Sequence, residues 1–353
     1  MMTLRRPTAL SRTPQVEVVV PCYNYGRFLP ECVGSVLSQP GVQVRVTVVD
    51  DCSTDDSGAV ADRLAASDRR IRVIHHETNR GHIATYNDGL KQADSDYVVL
   101  ISADDVLATG ALARAATLFE ARPEIGLVYG GLRNFSGQVP APSGARVSWS
   151  TWHGDAWVRA QFRRGLNAIY SPEAVVRTSV QHQVGYYDPS LPHSGDLEMW
   201  LRVAGVCDVG HVNGPVHAYR RIHPAAMSQN AYTAVLDDLR ERVRAYRTYL
   251  DRHPDEQERR VLERIMVRRA VEEAFGWAAE RARRGELSAG TADAVREFGL
   301  ELDPAVEHRA AWSVLDGAAA SLPAGRRLRA AAWSARVDLA DRLRWRRWHW
   351  WGM

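Results

Sequence analysis

Carboxylates gather at several places along this chain, each beside a run of apolar residues or the start of a helical pattern. In LISADD, Leu100 to Asp105, two adjacent acids follow an apolar run. A carboxylate at the end of a strand can bind a hard cation, which in turn binds phosphate oxygens. The same residues suit a solvated turn, and Asp105 is placed to cap a helix. Asp50–Asp51–Cys52–Ser53 closes an earlier apolar run. A carboxylate there can accept a hydrogen bond from a nucleobase imide or a ribose hydroxyl, or simply make a turn and a cap. Pro21–Cys22–Tyr23–Asn24–Tyr25 adds tyrosines, which offer a flat face for base stacking and a hydroxyl tip. In HSGDLEMWLR, His193 to Arg202, Asp196 precedes a helical pattern and serves as a general base or an N-cap. Leu197, Trp200 and Leu201 can pack inward there, and Glu198 and Arg202 stand at i, i+4, where they can pair. YRRIHPAAMS, Tyr219 to Ser228, supplies Arg220, Arg221 and His223 for phosphate or metal.

The elements that must position these groups alternate in type. Val16 to Val20 reads as a buried strand ending at Pro21, and Phe28, Leu29, Cys32, Val33, Val36 and Leu37 recur at helical spacing. A second strand runs from Val44 to Val49, and the CSTDDSG turn follows, with Ser53 or Thr54 as a cap for a helix to about Ala66. Ile71 to His75 is a third strand, His82 to Ala93 a helix, Tyr97 to Ile101 a fourth strand and Leu112 to Ala121 a helix; Leu127 to Tyr129 reads as a further strand. Such alternation predicts a mainly parallel sheet covered on both faces, with its ligand site at the carboxyl ends of the strands. The polar clusters sit there. Asn134 to Arg146, rich in Gly, Pro and Ser, is a loop. Beyond Tyr232 the pattern is helical almost throughout, with breaks near Pro254, Gly285 to Gly290, Pro304 and Pro323.

The 353 residues suffice for a large core and suggest about two domains. An apolar share of 45% and a charged share of 25% are ordinary for a globular protein, and a formal net charge of +3 demands no nucleic-acid partner. Cys22, Cys32, Cys52 and Cys207 lack zinc-ligand spacing and read as reduced thiols in a cytoplasmic protein. Residues 1–14 have no apolar segment of the secretory kind, and no stretch approaches the roughly 18 apolar residues that would span a bilayer.

Taken together, six motifs in one order resemble glycosyltransferase family 2, over about Val16 to Ser228. They are Pro21 to Asn24, Asp50 to Ser53, Asn79 to Gly81, Ser102 to Asp105, Asp196 to Arg202, and Tyr219 to His223. The resemblance implies an α/β fold of GT-A type: a mainly parallel nucleotide-binding sheet flanked by helices, here followed by a helical C-terminal module. The implied division is a catalytic domain over residues 1–231, its nucleotide-binding half about 15–133 and its acceptor-side half about 147–231, and a helical module over 232–353. By position, the resemblance implies nucleotide contacts at Pro21, Tyr23, Asn24, Asp51, Ser53, Asn79, Gly81, Asn87, Ala103 and Asp104, with Asp51 as the imide partner. Asp104 and His223 are the implied contacts of a divalent metal, Mn or Mg, and Asp196 the implied base. Asp105, Arg220, Arg221 and Trp200 fall on the diphosphate or acceptor side. Ser102 stands where the family carries the first carboxylate of D-x-D.

The implied reaction is transfer of a sugar, of hexosyl type, from a nucleotide-diphosphate donor to an acceptor hydroxyl, with inversion by single displacement, in glycan, cell-envelope or natural-product biosynthesis. A nucleotidyltransferase shares this architecture but calls for a Gly-rich basic loop after its first strand, where this chain has PCYNYGRF. A non-catalytic nucleotide-sugar binder has no need of both Asp104 and Asp196. The last residues add a separate feature. From Arg326 to Met353 there are eight arginines, and Trp345, Trp348, Trp350 and Trp351 crowd the end. This composition suits either an anionic membrane surface, at the inner face of the membrane, or packing onto the catalytic domain or a second subunit.

Overall fold

The computed structural model describes residues 3–5, 10–141, 144–167, 169–224, 235–308 and 312–315, with the isolated positions 335, 339 and 342. The Arg/Trp-rich terminus otherwise lies outside the described residues. Two compact units divide the chain. One holds the described residues up to 158 together with 167 and 169–224; the other holds 159–166 and the described residues from 235 onward.

The first unit is an α/β sandwich around one mixed sheet. Its elements are β1 (Thr3–Arg5), β2 (Gln15–Cys22), α1 (Leu29–Leu37), β3 (Gln43–Asp50), α2 (Ser57–Ser67), β4 (Ile71–His75), α3 (His82–Lys91), β5 (Tyr97–Leu100), β6 (Val106–Leu107) and α4 (Ala111–Ala121). There follow β7 (Ile125–Phe135), β8 (Ser148–Trp152), α5 (Gly154–Arg164), β9 (Ala174–Arg177), α6 (Thr178–Val184), α7 (Gly195–Ala204) and β10 (Asp208–Arg221). The strand order is β1-β8-β10-β7-β9-β5-β2-β3-β4, with β6 paired to β10.

The pairs β5–β2, β2–β3 and β3–β4 are all parallel. Parallel strands joined through helices are covered on both faces, so they read as continuous apolar runs. Val16, Val18, Val19 and Val20 of β2 are accordingly all buried, as are Val46, Val48 and Val49 of β3. Helix α3 lies close against this sheet. A Cβ at Gly89 would stand 2.2 Å from Val19 Cγ1, so the approach requires glycine.

Four local expectations are corrected. The helix after β3 is capped at Asp56, not at Ser53 or Thr54, because both of those serve contacts to the β2–α1 turn. Asp105 caps no helix: α4 starts at Ala111 after Gly110, and β6 intervenes. The N-cap of α7 is Ser194, which leaves Asp196 inside the first turn with its carboxylate free for other partners. The strand expected at Leu127 to Tyr129 runs to Phe135, into what composition marked as a loop, because β10 pairs with it in parallel as far as Arg221↔Phe135.

The second unit contains α8 (Val235–Asp251), α9 (Glu256–Arg283) and α10 (Ala289–Leu302), with the last part of α5 packed among them. Asp255 caps α9 by accepting the N–H groups of Gln257 and Glu258. Arg242 pairs with Glu273 at 2.7 Å, and the Phe162 ring lies 4.4 Å from that of Tyr246. No described helix is long and apolar enough to cross a membrane.

Candidate active site

The first polar clusters meet because β2, β3 and β5 all deliver their carboxyl ends to one edge. Asn24 ties two of them together. Its Oδ1 accepts the N–H of Thr54 at 2.8 Å and of Asp55 at 3.2 Å, while its own N–H donates to Ser53 Oγ at 3.0 Å. That geometry needs a left-handed backbone, φ 59, which asparagine tolerates better than most residues. Next to it the Tyr23 ring is 44% exposed, so a stacking face stays open.

Asp51 is buried, and its carboxylate holds the Asn79–Gly81 turn. Oδ1 accepts the N–H of Arg80 at 2.8 Å and lies 2.7 Å from His76 Nδ1; Oδ2 accepts the N–H of Gly81 at 2.8 Å. Burial pushes this carboxyl upward, but the hydrogen bonds from Arg80, His76 and Gly81 outweigh it and hold it below its ordinary value. Gly81 itself sits at φ 80, and Asn79 Oδ1 also accepts its N–H, at 3.1 Å. Ala103 and Pro21 line the same edge as backbone, Ala103 fully buried.

Tyr219 to His223 reaches the SADD turn through the short strand β6. Val106 pairs with Tyr219 and Leu107 with Ala218, so the residues flanking this ladder are brought side by side. His223 Nε2 then lies 3.0 Å from Asp104 Oδ2. The Arg221 N–H donates to Asp105 Oδ1 at 2.9 Å, and Arg221 Nε donates to the Asp104 carbonyl at 2.9 Å; its guanidinium also pairs with Glu31. Asp105 is pushed up to about 8, by burial first and then by the Asp104 charge, against the Arg221 N–H. Ser102 is half-buried at the mouth of this turn.

The described residues hold no group of three or more side chains of the metal-ligating kinds. Asp104 and His223 offer one carboxylate and one imidazole, and His223 Nδ1 is a buried nitrogen without a hydrogen-bond partner among the described residues. A Mg²⁺- or Mn²⁺-like cation that shares its coordination with substrate phosphates and water needs no more protein donors than these.

Asp196 projects from the first turn of α7. Ser171 Oγ donates to its two oxygens at 3.0 and 3.2 Å, and the Tyr187 hydroxyl donates to Oδ1 at 2.8 Å. Burial raises the Asp196 pKa, and these hydroxyl donors oppose the rise. Three residues hold the donors in place. Asn87 is buried, and its amide pairs with both backbone groups of Tyr187 at 2.8 Å. Trp200 is buried as well, and its Nε1 donates to the Ile169 carbonyl at 3.1 Å, which fixes the segment leading to Ser171. The predicted Glu198–Arg202 pair is present at 2.7 Å, and Arg202 also donates to the Tyr186 carbonyl. Asn87 and Trp200 thus act in this structure through Tyr187 and Ser171.

Sequence reasoning missed Tyr86, Tyr187 and Ser171. Tyr86 lies beside one of the donors to Asp196. Its ring packs edge-on against Tyr187, centroids 5.4 Å apart. Its phenol is pushed up by burial first, and then by the charges of Asp196 and Asp104. The helical spacing of α3 carries no mark that separates Tyr86 from a core aromatic.

Comparison with known proteins agrees with this geometry. The profile of glycosyl transferase family 2 matches residues 17–173. These residues belong to glycosyl transferase family 2. A relative, the glycosyltransferase GlyG of Streptococcus pneumoniae, is 38% identical over 92 residues, which are 26% of this chain and 31% of that protein. The matched stretches span 24% to 65% of the length of the first four curated relatives. Among solved structures, TarS of S. aureus in complex with UDP-GlcNAc aligns with a TM-score of 0.57 at 17% identity, covering 83% of this chain and 90% of that one. The mannosyltransferase PcManGT of Pyrobaculum calidifontis, in complex with GDP-Man and Mn2+, aligns with a TM-score of 0.55 at 15% identity, covering 96% and 90%. At these identities the two structures establish the GT-A-like fold.

Proposed function

We propose that this chain is an inverting, metal-dependent glycosyltransferase of hexosyl type, which takes a nucleotide-diphosphate sugar and glycosylates an acceptor hydroxyl. The observation that carries the reading is a pair of carboxylates each held for separate work: Asp196, oriented by the Ser171 and Tyr187 hydroxyls, and Asp104, which faces His223 at 3.0 Å.

In this reading the base of the donor stacks on the exposed ring of Tyr23. Asp51 Oδ2, which among the described residues accepts only the Gly81 N–H, keeps an acceptor site for an imide N–H. Asp104 and His223 would hold the divalent cation, which would supply neutralisation of the charge on the departing diphosphate. Arg220 and Arg221 add fixed positive charge on that side. Asp196 takes the acceptor proton. Its pKa, raised by burial, moves the carboxylate toward the range in which a base works well near neutral pH. Ser171 and Tyr187 keep it oriented and limit the rise. Ser102, lacking a carboxylate, leaves the first D-x-D position to water or to a ribose hydroxyl.

The alternative of a binder without catalysis is disfavoured by the hydroxyl donors that hold Asp196, which lies inside the first turn of α7 and not at its N-cap position, Ser194. Thermal-shift measurements with uridine, guanosine, adenosine and thymidine diphosphates, each with and without manganese or magnesium, test the reading. One nucleoside diphosphate stabilising the chain only with metal supports it; no stabilisation by any of them contradicts it.

A further inference from the structure

We propose that Tyr170 is the platform on which a pyranoside acceptor stacks, so that the acceptor is itself a sugar ring presenting a hydroxyl to Asp196. This rests on the reading of Asp196 as the base. The argument starts from an aromatic ring in an unusual place. Tyr170 is 44% exposed, whereas most large aromatics of this unit are buried. It immediately precedes Ser171, whose hydroxyl donates to both oxygens of Asp196. Its backbone is rigid: the Tyr170 N–H donates to Glu173 Oε1 at 2.8 Å, and the Glu173 N–H donates back to the Tyr170 carbonyl at 3.1 Å. Glu173 is itself buried, so the turn is anchored from below. A solvent-facing aromatic on a turn fixed in this way costs little ordering entropy when a ligand covers it.

Arg220 defines the other boundary of the platform. Its guanidinium lies 4.8 Å from the Tyr170 ring centroid and makes no ion pair among the described residues. Its chain neighbour Arg221 donates its N–H to Asp105 Oδ1 at 2.9 Å. The Tyr170–Arg220 pair therefore borders both the diphosphate residues and the base, as a group contacting an acceptor must. The chemistry of the surface selects a pyranose. The C–H face of a pyranose ring is apolar and slightly positive, which suits the negative face of a phenol ring. Its hydroxyl rim then reaches Arg220 and Asp196. A long acyl chain is disfavoured, because the exposed large apolar residues described in this unit are only Tyr23, Tyr170 and Val206.

Saturation-transfer NMR on the full chain tests this, with methyl hexopyranosides as probes and ribitol phosphate and glycerol phosphate as linear controls. At least one pyranoside should receive saturation. Tyr170→Ala should weaken its binding about fivefold, the worth of one aromatic contact, and Tyr170→Trp should keep it. Tyr170→Leu, which retains bulk without a π face, should behave like the alanine variant and serves in its place if that one does not fold. No pyranoside signal, a signal unchanged in Tyr170→Leu, or linear phosphates that depend on Tyr170 instead would each overturn the proposal. The nucleoside diphosphate thermal shift is read in parallel. Pyranoside binding that depends on Tyr170 without any nucleotide effect supports the platform while refuting the transferase reading.

Discussion

His223 Nε2 lies 3.0 Å from Asp104 Oδ2, although 119 positions separate the two residues in the chain. The two-residue strand β6 explains the meeting, since its pairing with Ala218 and Tyr219 carries the segment after β10 to the SADD turn. This pair should make nucleoside diphosphate binding depend on a divalent cation. Calorimetry with and without chelator should show tight binding only when metal is present. Asp104→Ala and His223→Ala should each weaken it, by roughly tenfold or more for the carboxylate. Equal affinity in chelator counts against the assignment.

Tyr187 should set the pH profile of the reaction. Its hydroxyl donates to Asp196 and stabilises the charged carboxylate, against the upward push of burial. Tyr187→Phe removes that donor, so the Asp196 pKa rises further. A base acts only when deprotonated, so the acid limb of the kcat profile should move to higher pH. Ser171→Ala should move it the same way. A limb that stays put, or moves to lower pH, contradicts the proposed contact.

Arg202 should matter for stability. Glu198 is fully buried and pairs with Arg202 at 2.7 Å, while Arg202 also holds the Tyr186 carbonyl. Arg202→Ala leaves a buried carboxylate without its cation and should cost about 3 kcal/mol in urea unfolding. A loss under about 1 kcal/mol would put the pair among solvent-screened surface bridges.

Asn24 gives an ordered series. Alanine loses the acceptor for Thr54 and Asp55 and must still adopt φ 59, so Asn24→Ala should cost about 2 kcal/mol. Asn24→Gly removes the backbone strain but not the lost hydrogen bonds, and should fall between alanine and the native residue. Glycine no better than alanine would show that strain plays no part.

Much of this architecture is legible in the sequence for a simple reason. Parallel strands buried on both faces must be apolar throughout, and Val16 to Val20 and Val44 to Val49 announce themselves. The polar residues that interrupt such runs fall at the strand ends, where the cleft is. The Glu198–Arg202 pair is legible because helical spacing fixes it. What stays hidden is whatever depends on distant pairing. Nothing local in Asp105 reveals that it serves the Arg221 N–H instead of a helix cap. Nothing local in Asn87 reveals that its amide is taken up by Tyr187, one hundred positions on. Residues 159–166 give no sequence sign that they pack with the helical unit, since α5 is one continuous helix.

The most direct measurement is nucleoside diphosphate release from a panel of nucleotide sugars with manganese, comparing the native chain with Asp196→Asn. The amide keeps the shape of the carboxylate but cannot take a proton. The native chain should turn over at least one donor in the presence of an acceptor, and the variant should bind that donor comparably while turning over at least about a hundredfold more slowly. Equal turnover by the two, or no turnover of any donor by the native chain, would contradict the assignment of Asp196 as the base of a glycosyl transfer.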